Sequence, residues 1–134
     1  MASNNETWLV ASYHMPGLYA CRVPMTSATS TSALPAPGPG TVRLALIRIA
    51  IELIGHASTE YTLFPTIRRM PILIETPANV AMSIHMVHVY KAREKTDSYQ
   101  EGIANREYAH TSDVIRIYLQ IPQQQCALFT ELLR

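Results

Sequence analysis

Histidines and arginines are the side chains of this sequence best equipped for chemistry, five of the first and nine of the second. His85 and His88 are three positions apart, and on a strand they point to opposite faces, which does not suit one metal ion. His14 ends an expected strand, His56 follows an expected helix and His110 lies near an expected turn, so no metal or other cofactor is anticipated. No HExxH, GxSxG or paired histidine–carboxylate signature occurs. A metal-independent ribonuclease needs only a general base, an acid and a cation. Tyr13, His14, His56 and Lys91 supply those types, and cleavage of RNA stays as an alternative. PAPGPGT (35–41) precedes a helix as a phosphate loop would, but it has no lysine and its prolines remove N–H donors.

Arginine beside an aromatic ring on an open strand face is a different signal, because a phosphate can pair with one and a base can stack on the other. Nine of the eleven cations are arginine, the side chain suited to phosphate forks and base stacking. Arg116 and Tyr118 share one face of an expected strand. Arg22, Arg68, Arg69, Lys91, Arg93 and Arg106 fall in expected loops or strand ends. Arg43 sits in the first turn of an expected helix, where a cation opposes the helix dipole, and is expected to reach outward to an anion. The paired aromatics of a standard RNA-recognition module are absent.

The elements that must carry these groups follow from pattern and composition. The 134 residues suit one domain, 1–134, with 25–40 as an internal Thr/Ser/Pro-rich loop rather than a linker. Hydrophobic residues make up 48% and charged ones 16%, which excludes a charged disordered tail and leaves apolar surface seeking a partner. The net charge of +1 neither makes nor excludes an RNA binder. Cys21 and Cys126 lack metal spacing and read as reduced thiols of a cytoplasmic protein. The apolar segment 42–54 contains Arg43, Arg48 and Glu52 and as a helix spans about 20 Å, short of a bilayer core of about 30 Å. A soluble protein with no membrane role is expected.

Strands are expected at 7–14, 67–75, 80–90 and 108–121, the last with a turn at 111–113. Tyr19 to Val23 resumes as an extended segment, and 91–102 reads as polar and mobile. Helices are expected at 41–54, capped by Thr41 and Gly55 and mostly buried, and from Gln123 onward with Leu128, Leu132 and Leu133 as its apolar side. Ile115, Ile117, Leu119 and Ile121 should face the core. The order fits an α+β, ferredoxin-like or RNA-recognition-like plan with a long Pro-rich loop after the first strand and without the closing strand, so that either the chain is truncated or its unfinished edge pairs with another chain.

The stretch ASYHMPGLYACRVPMTSATSTSALPAPGPGTVRLALIRIAIELIG (11–55) resembles the opening of the Cas-five family, repeat-associated mysterious proteins (RAMP) of type I CRISPR effector complexes. Arg22-Val23-Pro24, the proline-rich 34–40 and the helix ending at Gly55 carry the likeness. NREYAHTSDVIRIYLQIP (105–122) is similar to that family's Arg-Glu-Tyr strand hairpin. The resemblance implies a RAMP domain in a non-catalytic subunit that holds the five-prime handle of CRISPR RNA. It further implies docking on the backbone and large subunits of a Cascade-like complex and indirect contact with target DNA. By carry-over, Arg22, Arg106, Tyr19 and Tyr108 would contact the handle, beside the residue-derived set of Arg43, Arg68, Arg69, Lys91, Arg116 and Tyr118. No long basic thumb hairpin is evident, 91–102 being its reduced counterpart. A protein-interaction domain without RNA is the remaining alternative.

Overall fold

The computed structural model describes residues 5–22, 30–92 and 98–134, and it is a mixed α+β structure. Positions 25–29 of the Pro-rich loop and Arg93 lie outside the described residues, as does the side chain of Lys91. The chain gathers into two compact units. The first takes the segment up to Tyr13 with Pro37–Thr76 and Ile115–Arg134, and the second takes His14–Ala36 and Pro77–Val114.

The first unit is built on a three-stranded sheet. Strand β1 (Glu6–His14) and strand β8 (Val114–Pro122) pair, and β8 also pairs antiparallel with β5 (Ile72–Glu75), giving the order β1-β8-β5. Period-two alternation sends Ile115, Ile117, Leu119 and Ile121 to the buried side, as their spacing predicts. Helix α1 (Pro39–Ile54) packs Val42, Leu46 and Ala50 into the same core, and helix α4 (Cys126–Leu132) adds Phe129 and Leu132. Truncating Phe129 to alanine would cost about 3–5 kcal/mol.

Several local expectations are corrected. Thr41 is not the cap of α1: Gly38 is, with Pro39 in the first turn, where its missing N–H costs nothing. Gly55 ends the helix at φ 84°, a left-handed value open to glycine, and its N–H binds the Ile51 carbonyl. Arg48 and Glu52 pair at 3.0 Å. The helix is less buried than its composition suggests, with Leu44 70% exposed and Ile51 and Leu53 also open to solvent.

Residues 67–69 are helical rather than extended. After Gly55 the chain re-enters helix as α2 (His56–Ser58), a π-helical turn (Thr59–Leu63) and α3 (Phe64–Arg69). Thr59, Leu63 and Ile67 recur every fourth position and are all buried, a helical stripe. Thr59 Oγ1 donates to the Gly55 carbonyl at 2.8 Å, and Pro65 falls in the first turn of α3, where it is tolerated. Met70, preceding Pro71, turns extended and opens β5.

The second unit is dominated by an antiparallel hairpin of β6 (Ala81–Ala92) and β7 (Tyr99–His110), paired in unbroken register from Ala81↔His110 to Ala92↔Tyr99. Positions 91, 92 and 99–102 therefore belong to strands, and the long hairpin absent from the sequence reading is present. Apolar and aromatic side chains, rather than basic ones, dominate its open face. Strand β3 (Ser30–Thr31) runs parallel to β7, giving the order β3-β7-β6, while β2 (Cys21–Arg22) pairs with β4 (Ala33–Leu34). The turn at 111–113 forms as expected: Thr111 Oγ1 donates to the Asn79 carbonyl at 2.6 Å and accepts from the Asp113 N–H at 3.0 Å.

Candidate nucleic-acid interface

Arginine and tyrosine recur as Arg106-x-Tyr108 on β7 and Arg116-x-Tyr118 on β8. Within each strand this spacing puts both side chains on one face. What stands opposite on the neighbouring strand then decides their chemistry.

On β8 the opposite residue is a carboxylate. Glu75 pairs with Arg116 in the β5–β8 register, and its Oε1 receives Arg116 Nη1 at 2.6 Å. The Tyr118 hydroxyl donates to Glu75 Oε2 at 2.5 Å. That hydrogen bond, helped by the Arg116 charge, holds the Glu75 carboxyl below its ordinary range, and the same bond pushes the Tyr118 phenol up. Arg116 and Tyr118 are thus engaged with Glu75, a correction to their reading as an open stacking pair. Along the same strand Gln120 Nε2 donates to Glu6 Oε2 at 2.7 Å.

On β7 the opposite residue is a histidine. Arg106 pairs with His85 and Tyr108 with Ser83 in the β6–β7 register, so the four side chains share one face of the hairpin. The His85 and Tyr108 rings meet edge to face, with centroids 5.3 Å apart and planes at 88°. Ser83 Oγ and His85 Nε2 are joined by a 3.0 Å hydrogen bond. Glu107 points to the opposite face and accepts the Ala33 N–H at 2.8 Å. Arg106 forms no ion pair among the described residues. A half-buried arginine with no carboxylate partner among the described residues, on one face with two rings, is a surface on which an anion can pair and a base can stack.

No family model matches the chain. It is similar to the CRISPR-associated protein Cas5 of Archaeoglobus fulgidus, with 22% identity over 115 residues, covering 84% of this chain and 50% of that protein. The likeness to that Cas5 protein is a distant one. The chain spans about half the length of the Cas5 relative it matches.

The residues that the Cas5 resemblance singled out fare differently. Arg106 and Tyr108 are brought together, and Arg22 stands exposed on β2 without an ion pair among the described residues. Tyr19 is only 8% exposed, its backbone bridges Ala109 and its hydroxyl donates to the Pro35 carbonyl at 2.8 Å, so it offers no free face. Its phenol is pushed up by burial and, to a lesser extent, by Cys21.

The other candidates separate as well. Arg43 does not reach outward: Nη2 donates to the Met70 carbonyl at 2.9 Å, and its Nε is buried without an acceptor. Arg68 and Arg69 close α3, where cations suit the helix dipole, and both are exposed. Lys91 lies on β6. Of the ribonuclease set, Tyr13 is committed, its hydroxyl donating to the Leu133 carbonyl at 2.8 Å, and burial pushes its phenol up. His56 is exposed with Nδ1 3.9 Å from Glu60.

His85 and Glu75 were missed, since each acts through a strand partner distant in sequence. Their signal was the alternation of AMSIHMVHVY (81–90) and of ILIE (72–75). Register also joins His88 Nδ1 to Glu101 at 2.7 Å, an exposed pair. Among the described residues no cluster of three or more metal-ligand side chains occurs, and no helix is long and apolar enough to cross a membrane.

Proposed function

We propose that this chain is a non-catalytic, CRISPR RNA-binding subunit of a type I, Cascade-like effector complex. In this reading it holds the five-prime handle of the guide RNA, docks on backbone and large subunits, meets target DNA only indirectly and works in the cytoplasm without a cofactor. The observation that carries it is the face shared by Arg106, His85 and Tyr108, with no carboxylate paired to the arginine among the described residues. The likeness to Cas5 supports the same reading. So does the first unit, where α1 links β1 to β5, β8 enters between them and α4 follows, as in a ferredoxin-like split βαβ plan.

Arg106 supplies the phosphate contact, and Tyr108 and His85 present rings to an unstacked base. Arg22 adds charge at long range. The test is binding of a short repeat-derived RNA at several salt concentrations, with analysis of the RNA afterwards. Salt-sensitive binding that Arg106→Ala weakens about tenfold, with RNA recovered intact, is the expected result. Binding indifferent to Arg106, or cleavage of the RNA in EDTA, would overturn the reading.

A further inference from the structure

A cleft of about 290 Å³ opens within the first unit, where the end of α3 and the turn into β5 meet the start of β1 and the end of β8. That volume is at the lower end for small-molecule sites, room for a single small ligand. No residue of the β6–β7 hairpin lines it.

The main chain around the cleft is already engaged. The Thr66 carbonyl accepts the Met70 N–H at 2.9 Å, and the Pro71 carbonyl accepts the Gln120 N–H at 3.1 Å. The Met70 carbonyl accepts Arg43 Nη2 at 2.9 Å. Pro65, Pro71 and Pro122 have no N–H to offer. Recognition therefore falls to four side chains. From α3 come two donors, the Arg69 guanidinium and the Thr66 hydroxyl, and from the strands come Glu6 and Gln120.

The two strand residues are tied so that acceptors remain. Gln120 Nε2 donates to Glu6 Oε2 at 2.7 Å, which turns the amide nitrogen toward the carboxylate. The amide oxygen of Gln120 and Glu6 Oε1 are left without a partner among the described residues. Arg69 forms no ion pair among the described residues, although Glu6 lines the same cleft. A cation and an anion that share a small cleft and stay apart leave both charges to an occupant.

We propose that this cleft binds guanosine 5′-monophosphate (GMP), free or as one unpaired nucleotide of an RNA. Because Glu6 and Gln120 present acceptors, the edge they take must be made of donors. Guanine alone among the four bases puts two neighbouring donors, N1–H and the 2-amino group, on its pairing edge. Adenine and cytosine set a donor beside an acceptor, and uracil sets its one donor between two acceptors. A carboxylate takes the two guanine donors side by side, as it takes the fork of an arginine. The rings of Pro65, Pro71 and Pro122, with buried Met70, give the purine an apolar wall. Arg69 pairs with the phosphate and Thr66 donates to it. An amino-acid zwitterion would meet both charges but leave the Gln120 oxygen and that wall idle. The proposal does not rest on the RNA reading of the hairpin, and the free nucleotide tests it without RNA.

The test is calorimetric titration of the full chain with GMP, with inosine and adenosine 5′-monophosphates, and with guanosine. Inosine monophosphate is GMP without the 2-amino group. It is expected to bind about tenfold more weakly than GMP, and the adenosine compound more weakly still. Arg69→Gln should weaken GMP about tenfold and leave guanosine unchanged, whereas Glu6→Gln should weaken both by the same factor. Both residues are exposed, thermal melts check that the variants fold, and the comparison of bases needs no variant. Competition by a single-stranded RNA with one guanosine, against the same RNA with inosine there, identifies the source. Displacement of GMP by the first alone supports an RNA nucleotide, and displacement by neither supports the free one. No binding of GMP at millimolar concentration, inosine or adenosine monophosphate as tight as GMP, equal displacement by both RNAs, or an Arg69 effect as large on guanosine would each overturn the inference.

Discussion

Arg106-x-Tyr108 and Arg116-x-Tyr118 are the same side chains at the same spacing, ten positions apart, both on strands of antiparallel pairs. One arginine is neutralised, and the other has no ion pair among the described residues. The difference lies with the cross-strand neighbour, Glu75 opposite Arg116 and His85 opposite Arg106. A carboxylate closes the arginine on itself and captures the tyrosine hydroxyl as well. An imidazole leaves the guanidinium free and turns the tyrosine into half of an aromatic platform. The availability of an arginine on a sheet is thus a property of the register, not of the strand that carries it.

Reversing charge at the open pair should have the largest effect. Arg106→Glu is expected to lower RNA affinity about a hundredfold, the loss of a charge-assisted phosphate contact plus new repulsion, whereas Arg116→Glu should change it less than threefold. Equal losses in a filter-binding assay would erase the distinction. His85→Glu imports the Glu75 arrangement into the hairpin, and should reduce affinity about tenfold by capturing Arg106. The converse, Glu75→Gln, releases Arg116 and should raise affinity about two- to threefold at low salt, a gain that Arg116→Ala removes. No gain would mean that Arg116 is out of reach of the RNA even when free.

The smallest effect is on stability and has a pH signature. Glu75 titrates below its ordinary range, so its stabilisation is present above the unfolded carboxylate pKa and disappears as pH falls through the lower folded value. Tyr118 titrates above its ordinary range, so its share is full below the unfolded phenol pKa and disappears as pH rises through the higher folded value. Tyr118→Phe should therefore lower the melting temperature slightly at neutral pH, with the curves of the two proteins converging at both extremes. A gap that persists in acid would assign the loss to packing instead.

Sequence alone reached the elements whose periodicity is strong. β8 was legible from four alternating aliphatic residues, and α1 from its aliphatic run and Gly55. The segment 56–69 was not, because the stripe Thr59–Leu63–Ile67 is one residue wide, starts with a polar side chain and is flanked by exposed Tyr61 and Phe64. The start of β7 looked like a mobile loop since Glu101 and Gln100 are exposed, and an exposed strand has no apolar side to betray it. Of the candidate site, Arg106 was readable from residue type and Tyr108 from the Cas-five resemblance. Their freedom and the capture of Arg116 were not, because both depend on partners found only when strands pair.

The sheet of the first unit joins β1 to a strand more than a hundred residues downstream, Gln120 reaching back to Glu6 across 114 positions. During synthesis its core cannot close until Phe129 and Leu132 have left the ribosome. The hairpin of β6 and β7 is local, and such units form within about 10 μs, while elongation adds about 5–20 residues each second. For about a second or more of its birth, then, the nascent chain carries a finished apolar hairpin on an unfinished body.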